Sequence, residues 1–253
     1  MPVTVKDMMA LLLPLAPVED AEEWDNVGLL AGREASEVEA VLCALDLTEA
    51  VVDEAVRRGA QMIVTHHPIL FRGRKHLRED DAEGRMLCKL IRADLALYAM
   101  HTNYDNACPG VNDALAAALG LSDTEVVERC VRVGATDAGT FGAFADRVER
   151  ALGGPVRRFG DLDKPIKRVA VVGGSGGDYL ATAMAVGADA FVTGEISYHR
   201  ALDAACDGLC VVEAGHAATE RPGILALADA LQKAADAVQY KVRILNSQVG
   251  LYL

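Results

Sequence analysis

The chain has 253 residues, of which 51% are hydrophobic and 25% are charged, so it is long enough and apolar enough to fold around a sizeable core. Its formal net charge of −12 at pH 7 argues against non-specific binding of nucleic acid, whose phosphates require a cationic surface. The same charge argues against binding to an anionic membrane surface. No apolar run approaches the roughly 18 residues of a transmembrane helix.

In chain order, short apolar strands alternate with amphipathic helices. The pattern predicts a strand at 38–45, a helix at 48–58, a strand at 61–65, a helix at 80–92, a strand at 95–100 and a helix at 111–119. After a stretch of weaker patterning it predicts a strand at 168–172, a helix at 178–186, a strand at 190–193, a helix at 197–205, a strand at 209–213, a helix at 219–237 and a strand at 242–245. Such alternation predicts an α/β fold with a largely parallel sheet.

The six cysteines form neither a C-x-x-C pair nor a zinc-ribbon spacing. Cys43 and Cys210 lie in apolar runs and Cys88 lies on an apolar helix face, where cysteine behaves as a small buried hydrophobe. This usage indicates a reducing compartment. An apolar stretch near the start faintly resembles a signal peptide, but Thr4 and Asp7 form a capping box that predicts an amphipathic helix instead. We therefore expect a cytoplasmic protein.

Two segments of the chain match each other. The pattern Gly-Ala-x-x-x-Val-Thr occurs at 59–65 and at 187–193, in each case 18 residues after a Val in the preceding strand, Val41 and Val169. Each copy then contains a His followed four residues later by a carboxylate, His101 with Asp105 and His216 with Glu220. The alternative is coincidence between two generic βαβ units, but the identical spacing favours internal duplication of a βαβαβα lobe.

The duplication predicts an α/β protein of two pseudo-repeated lobes, each a mostly parallel mixed sheet flanked by helices. We expect the lobes to span 1–125 and 126–253, to form one compact unit, and to hold a metal site between them. Helices that begin beyond Pro109-Gly110 and beyond Pro222-Gly223 are expected to complete the two copies.

Polar residues follow the predicted strands at their carboxyl ends, where open α/β sheets place their functional sites. His66 and His67 precede a proline at such an end, so both rings can turn toward one cleft. Imidazole suits Zn, Fe, Ni or Co, and carboxylate suits harder ions. With Asp105, His216 and Glu220 they make a nitrogen and oxygen ligand set for two metals. The alternative is that His66 and His67 are ordinary half-buried histidines.

Two further polar residues are candidate catalytic groups. Glu195 occupies the strand end of the second copy and could be a general base, a substrate contact or a solvated cap. His101 could move protons, or could orient Asp105 rather than bind metal. The segment 173–178, Gly-Gly-Ser-Gly-Gly-Asp, could bind a phosphate through backbone N–H groups or could be a tight turn capped by Asp178.

The longer motifs resemble one family. They are WDNVGLLAG from Trp24, THHPILFRG from Thr65, HTNYDNACPGVND from His101, VVGGSGGD from Val171, TGEISYH from Thr193 and GHAATE from Gly215. In this order they resemble the Nif-three-like (NGG-one-interacting-factor-three-like) dinuclear metal family, whose members carry the name GTP cyclohydrolase I type 2 homologue.

The resemblance implies that His66, His67, Asp105, His216 and Glu220 ligate a pair of divalent ions, with Zn, Fe, Mn, Ni and Co all compatible with such ligands. It also implies a toroidal homohexamer whose sites face an internal cavity. For function it implies a metal-dependent hydrolase, a candidate GTP cyclohydrolase that acts on a nucleotide-like substrate through a metal-activated water. Two alternatives stay open: a metal-dependent phosphatase or phosphodiesterase, and a non-enzymatic metal-binding adaptor or metal-handling protein.

Overall fold

The computed structural model describes residues 2–250, and within this range the chain forms nine α-helices and eleven β-strands. In chain order these are α1 (Val5–Leu12), β1 (Gly28–Ala31), β2 (Ala40–Ala44), α2 (Glu49–Arg58), β3 (Met62–Thr65), α3 (Ala82–Arg92), β4 (Ala96–Ala99), α4 (Thr102–Asn106), α5 (Val111–Ala118), β5 (Ser122–Glu128), β6 (Val131–Ala135), α6 (Phe141–Leu152), β7 (Arg157–Phe159), β8 (Arg168–Val172), α7 (Leu180–Ala185), β9 (Ala190–Thr193), α8 (Tyr198–Cys206), β10 (Cys210–Glu213), α9 (His216–Ala237) and β11 (Arg243–Asn246).

The predicted alternation of strands and helices is confirmed. The strands predicted at 168–172 and 190–193 coincide with β8 and β9. One expectation is wrong: among the described residues no helix begins beyond Pro222-Gly223, because α9 already begins at His216 and runs through Pro222. A proline inside a helix removes one backbone hydrogen bond, and here the helix continues past it. The weakly patterned stretch contains four elements that the sequence did not predict, β5, β6, α6 and β7.

The chain divides into two compact units. The first comprises the described residues up to Ala107 together with those from Ile224 onward, and the second comprises Cys108–Gly223. The sequence placed the division between residues 125 and 126, which falls inside β5. The structure places it at Ala107, because β5 pairs with β6 in the second unit, and it returns the chain to the first unit within α9.

The first unit contains a five-stranded sheet in the order β1-β4-β3-β2-β11. All neighbouring pairs are parallel except β1 with β4. The ends of β2, β3 and β4 are in register, with Ala44 opposite Thr65 and Thr65 opposite Ala99. The segments that follow β2, β3 and β4 therefore leave the sheet at the same edge.

The second unit contains a six-stranded sheet in the order β5-β6-β8-β9-β10-β7. Its central strands β8, β9 and β10 are parallel, and the outer strands pair in the antiparallel sense. Along β8, Val169 and Val171 pack into one buried cluster while Ala170 and Val172 pack into another. Because successive side chains of a strand point to opposite faces, this sheet is covered on both sides.

The two units repeat one order of elements. The first contains β2-α2-β3-α3-β4, and the second contains β8-α7-β9-α8-β10, with parallel strands in both. This agrees with the predicted duplication, and the predicted class of mixed, mostly parallel sheets flanked by helices is confirmed.

Local sequence signals explain how α1 begins. Thr4 Oγ1 accepts a hydrogen bond from Asp7 N at 3.3 Å, and the Asp7 carboxylate accepts one from Thr4 N at 2.8 Å. The predicted capping box is therefore confirmed, and the helix that it starts buries Val5, Met8 and Leu12. Within the described residues, we find no helix that is both long enough and apolar enough to cross a lipid bilayer.

The segment that follows β11 is fixed to the rest of the first unit through Glu54 on α2. Its carboxylate accepts hydrogen bonds from Ser247 Oγ at 2.6 Å, Gln248 N at 3.0 Å and Arg58 Nη1 at 2.8 Å. Burial alone would raise the pKa of Glu54, but these hydrogen bonds outweigh it and lower the pKa below its ordinary value.

A second buried charge lies on β6. Arg132 is fully buried, and it donates through Nε and Nη2 to the two carboxylate oxygens of Asp113, both at 2.8 Å. A third bond runs from Nη1 to the Arg129 carbonyl at 2.7 Å. Asp113 also accepts from the backbone N–H of Gly110 at the start of α5. Loss of one partner of such a pair costs about 3–5 kcal/mol, because the other charge stays buried.

None of the six cysteines forms a disulfide. Cys43 and Cys210, which the sequence placed in apolar runs, are buried, and so is Cys130. Burial raises the pKa of the Cys43 thiol to about 12. Cys43 is therefore a thiol, not a thiolate, at neutral pH.

Candidate metal centre

Strand ends of the first unit carry three histidines. His66 and His67 directly follow β3, and His101 follows β4 after one residue. The backbone N–H of His66 donates to Ala44 O at 3.2 Å, and that of His67 donates to Leu45 O at 3.0 Å. These bonds turn the chain toward the end of β2. Side chains therefore no longer alternate between the two faces of the sheet, and both rings can lie on one side.

The three rings lie together, and we call them the histidine cluster (His66, His67 and His101). Their centroids are 5.0 Å apart for His66 and His67, 5.2 Å for His66 and His101, and 5.5 Å for His67 and His101. One ring nitrogen from each residue lies within 4.8 Å of the others. Because a zinc–nitrogen bond is about 2.0–2.1 Å, nitrogens at this spacing could hold a metal ion after a small rotation.

Each Nδ1 atom of the histidine cluster faces an acceptor. His66 Nδ1 lies 2.8 Å from the carbonyl of the residue before His101. His67 Nδ1 lies 2.7 Å from Asp46 Oδ1, and His101 Nδ1 lies 2.9 Å from Asp25 Oδ1. An acceptor at Nδ1 fixes the proton there and leaves the Nε2 lone pair for a metal or a proton. The three rings are therefore held in the tautomer that a metal site requires.

Asp25 is the more deeply buried of the two orienting carboxylates. It also accepts hydrogen bonds from Thr102 N at 3.0 Å and from Thr102 Oγ1 at 2.5 Å. Burial alone would raise the pKa of Asp25, but the bonds from His101 and Thr102 hold the pKa well below its ordinary value. Asp25 is therefore ionised at neutral pH and can stabilise a positive charge on His101.

Asp105 lies on α4, four residues after His101. Its Oδ1 lies 3.5 Å from His66 Nε2, on the side of that ring that faces away from its carbonyl acceptor. A carboxylate is thus available beside the histidine cluster, as the sequence spacing predicts. The spacing also suggested that His101 orients Asp105, whereas the carboxylate at His101 Nδ1 is Asp25.

The second unit contributes further donors. His216 and Glu220 lie four residues apart on α9, with His216 Nε2 3.1 Å from Glu220 Oε1. His216 Nδ1 lies 3.3 Å from Glu195 Oε2, and Ser175 Oγ donates to the same oxygen at 2.8 Å. Glu220 is almost fully buried, whereas Glu195 is exposed. A histidine and a carboxylate on one helix face are thus held ready to share an ion.

The glycine-rich segment 173–178 packs against this second group. A Cβ atom at Gly174 would lie 2.2 Å from Glu220 Oε1 and 3.2 Å from His216 Nε2. At Gly194 a Cβ atom would lie 2.7 Å from Thr219 Oγ1. Glycine at both positions therefore lets the backbone approach the donors closely.

Backbone N–H groups of the same segment already have side-chain acceptors. Gly173 N donates to Asn112 Oδ1 at 2.7 Å, and Gly174 N donates to Thr219 Oγ1 at 3.0 Å. Gly176 N donates to the hydroxyl at the end of β9 at 2.9 Å. Since these three groups are occupied, the geometry favours the tight-turn interpretation over phosphate binding.

Glu195 was predicted as a candidate catalytic residue. The hydrogen bond from Ser175 lowers its pKa, burial opposes this, and the neighbouring His216 lowers it further. A lowered pKa makes a carboxylate a weaker base at neutral pH. The arrangement suits Glu195 as an orienting acceptor for His216, in the way that Asp46 serves His67.

The structure thus brings the predicted site residues into one group in each unit. The first group contains His66, His67, His101 and Asp105, and the second contains Glu195, His216 and Glu220. Sequence reasoning missed the orienting roles of Asp46 and Asp25. Asp46 follows β2, so the strand-end rule that selected the histidines could have found it. Asp25 lies in an irregular loop that carries no periodic signal.

Together, the fold and these groups define an α/β protein of two related units with histidine and carboxylate groups that could hold a metal ion. Comparison with known proteins names the family. Residues 3–250 match the model of the Duf34/NIF3 (NGG1p interacting factor 3) family, and the chain belongs to this family.

Relatives match over most of their length. A Clostridium acetobutylicum protein named GTP cyclohydrolase 1 type 2 homolog is 34% identical over 98% of this chain and 97% of its own. A Streptomyces coelicolor protein of the same name is 38% identical over 86% of this chain and 82% of its own. Among solved structures, a Staphylococcus aureus hypothetical protein superposes with a TM-score of 0.95 at 31% identity, covering 100% of both chains. A Bacillus cereus protein related to NIF3 gives a TM-score of 0.94 at 28% identity, again over 100% of both chains.

Proposed function

We propose that this protein is a dinuclear metal-dependent hydrolase that acts on a nucleotide-like substrate, with GTP as the first candidate. The proposal is carried by one observation: the Nδ1 atoms of His66, His67 and His101 all face acceptors, so that Nε2 is the atom of each ring that would bind a metal or a proton. A histidine kept only for packing needs no such uniform arrangement. The names of the relatives supply GTP as the candidate.

We propose that both donor groups serve one centre. His66, His67 and Asp105 would come from the first unit, and His216 and Glu220 from the second. The duplication supports this, because the two groups follow corresponding strands of the repeat. A bound divalent ion would supply a Lewis acid and would lower the pKa of water toward about 7.

The chain's own residues would position the substrate and move protons. His101 accepts a proton at Nε2, because its Nδ1 proton is held by Asp25. The ionised Asp25 stabilises the resulting imidazolium, since a buried carboxylate next to an imidazolium favours the charged form. In the proposed reaction, water would add to C8 of the guanine base and the C8–N9 bond would break, which leaves a formamide on N7. His101 would take a proton from the attacking water and give it to the released N9.

Elemental analysis and product analysis test the proposal together. Protein purified without added metal, or reconstituted with Zn, Mn, Fe, Ni or Co, is expected to hold about two ions per chain. His67→Ala is expected to lose metal and GTP turnover while it stays folded. His76→Ala is the matched control, because His76 is exposed and belongs to neither donor group.

The products separate the candidate reactions. A formylated or ring-opened purine supports cyclohydrolase activity, whereas released phosphate without ring opening identifies a phosphatase. Metal that passes readily to a chelator, without turnover of either kind, would identify a metal-handling protein instead. We also propose the homohexamer that the family resemblance implies, and sedimentation velocity of the purified protein tests it.

A further inference from the structure

Two exposed aromatic side chains stand beside the histidine cluster. Trp24 is 59% exposed and Phe71 is 44% exposed, although aromatic residues make up only 5% of the chain. Their ring centroids are 5.6 Å apart at an interplanar angle of 57°. Both rings also lie against His101, with centroids 6.1 Å away for Trp24 and 6.3 Å away for Phe71. Large aromatic rings normally contribute to a core, so an open pair at a donor cluster is a surface available for a ligand.

The loop that carries Trp24 is anchored by the two residues that follow it. Asp25 is fixed to the start of α4, where it accepts from Thr102 N and Thr102 Oγ1. Asn26 Nδ2 donates to Leu70 O at 2.6 Å and so ties this loop to the residue before Phe71. The backbone beside each exposed ring is therefore anchored, which lowers the entropy cost of binding a planar ligand against the rings.

Positive charge follows the aromatic pair. The segment after Phe71 contains Arg72, Arg74 and Lys75 in a chain whose net charge is −12. Arg74 forms ion pairs with Asp81 and Glu83. By contrast, Arg72 and Lys75 are exposed and form no ion pair among the described residues. Two exposed cations therefore follow Phe71 closely in the chain.

We propose that Trp24 and Phe71 stack on the planar heteroaromatic base of a nucleotide, and that Arg72 and Lys75 bind its phosphate tail. This inference rests on the proposed function of the adjoining metal centre and names the class of its substrate. The base binds by its face, as aromatic side chains bind bases of any sequence. The phosphate binds to the exposed cations, since charge-assisted hydrogen bonds to phosphate are the strong ones.

Trp24 reports on this surface directly, because the chain contains a single Trp. Protein of known metal content is titrated with guanosine 5′-monophosphate and excited at the red edge of the Trp absorption, with free N-acetyltryptophanamide as the correction for light absorption by the base. Stacking predicts saturable quenching of Trp24 emission. Ribose 5-phosphate, which has the tail but no base, is expected to leave the emission unchanged.

Variants separate the two parts of the surface. Phe71→Ala is expected to weaken binding of the nucleotide by about tenfold, within the range measured for loss of one stacking partner. Ile91→Ala is the matched control, because Ile91 is an apolar residue with 56% exposure on α3, and it is expected to bind as wild type. Arg72→Ala combined with Lys75→Ala is expected to weaken binding of the nucleotide at low salt by about fivefold or more, and to spare guanosine.

Distinct outcomes would overturn this inference and the proposed function. A protein that holds metal but shows no quenching by guanosine 5′-monophosphate, or equal quenching by ribose 5-phosphate, refutes the stacking surface and leaves the metal centre standing. Saturable quenching in a protein that never binds metal supports the surface and refutes the hydrolase. If Phe71→Ala or Trp24→Ala dissociates an oligomer in sedimentation velocity, the rings form a subunit contact, and the proposed ligand surface is wrong.

Discussion

The pair formed by His67 and Asp46 allows the orienting role of a carboxylate to be separated from any structural role. His67 Nδ1 lies 2.7 Å from Asp46 Oδ1, and the Asp46 side chain is 38% exposed. Asp46→Asn keeps the size and the acceptor oxygen but removes the negative charge. The substitution therefore weakens the bond that holds the Nε2 lone pair of His67 toward the proposed metal.

The expected effect on metal affinity is larger than the expected effect on the free energy of unfolding. Loss of an orienting partner of a metal-binding histidine typically costs about 10–100-fold in metal affinity, which is about 1.4–2.8 kcal/mol. A partly exposed ion pair contributes at most about 1 kcal/mol to stability. Asp46→Asn should therefore lower Zn²⁺ affinity by at least about tenfold while the free energy of unfolding of the metal-free protein changes by less than about 1 kcal/mol.

Competition with a chromogenic chelator measures the affinity, and urea unfolding of chelator-treated protein measures the stability. Asp53→Asn is the matched control, because Asp53 is 50% exposed and pairs with Lys89 at 2.7 Å. It should change stability by a similarly small amount and leave Zn²⁺ affinity as in wild type. Wild-type affinity in Asp46→Asn, or equal losses in both variants, would refute the assignment of Asp46 as an orienting group.

Three further predictions follow from the structure. Glu54→Gln should lower the free energy of unfolding at pH 7, and the difference from wild type should shrink as the pH falls below about 4. The reason is that the pKa of Glu54 is lower in the folded state than in the unfolded state. Such a carboxylate stabilises the fold above its unfolded pKa, and this stabilisation is lost as the carboxylate is protonated. A thiol reagent should label Cys108 in the folded protein and reach Cys43 only after unfolding, since Cys43 is buried with its pKa raised to about 12. Gly174→Ala should destabilise the protein by more than about 1 kcal/mol and weaken metal binding, because the residue has a φ of 60° and its Cβ would collide with Glu220 Oε1.

Each of these three predictions is compared with a control, and a specific result would contradict it. Glu34→Gln changes an exposed glutamate, so a pH dependence equal to that of Glu54→Gln would contradict the role of the buried carboxylate. Gly154→Ala adds a Cβ that meets nothing within 4 Å, and a loss as large as that of Gly174→Ala would contradict the steric argument. Labelling of Cys43 in the native state at the rate of Cys108 would contradict its burial.

Periodicity predicted the central strands because their apolar runs are buried on both faces. β8 and β9 are examples, and the sequence bounds match the structural ones. The periodicity of apolar residues did not predict β5, whose sequence Ser-Asp-Thr-Glu-Val-Val-Glu is almost entirely exposed. An edge strand of this kind is held by its antiparallel pairing with β6 and leaves no buried stripe in the sequence.

Local sequence was enough to identify the residues at the strand ends, because a strand and its end are local features. It therefore identified His66, His67, His101 and His216 as candidate donors. Contacts between distant segments determine which nitrogen of each ring faces an acceptor. The acceptor of His101 is Asp25, which lies 76 residues away in the sequence. Such partners depend on how strands and loops pack, and no local pattern of apolar and polar residues encodes a contact between segments so far apart.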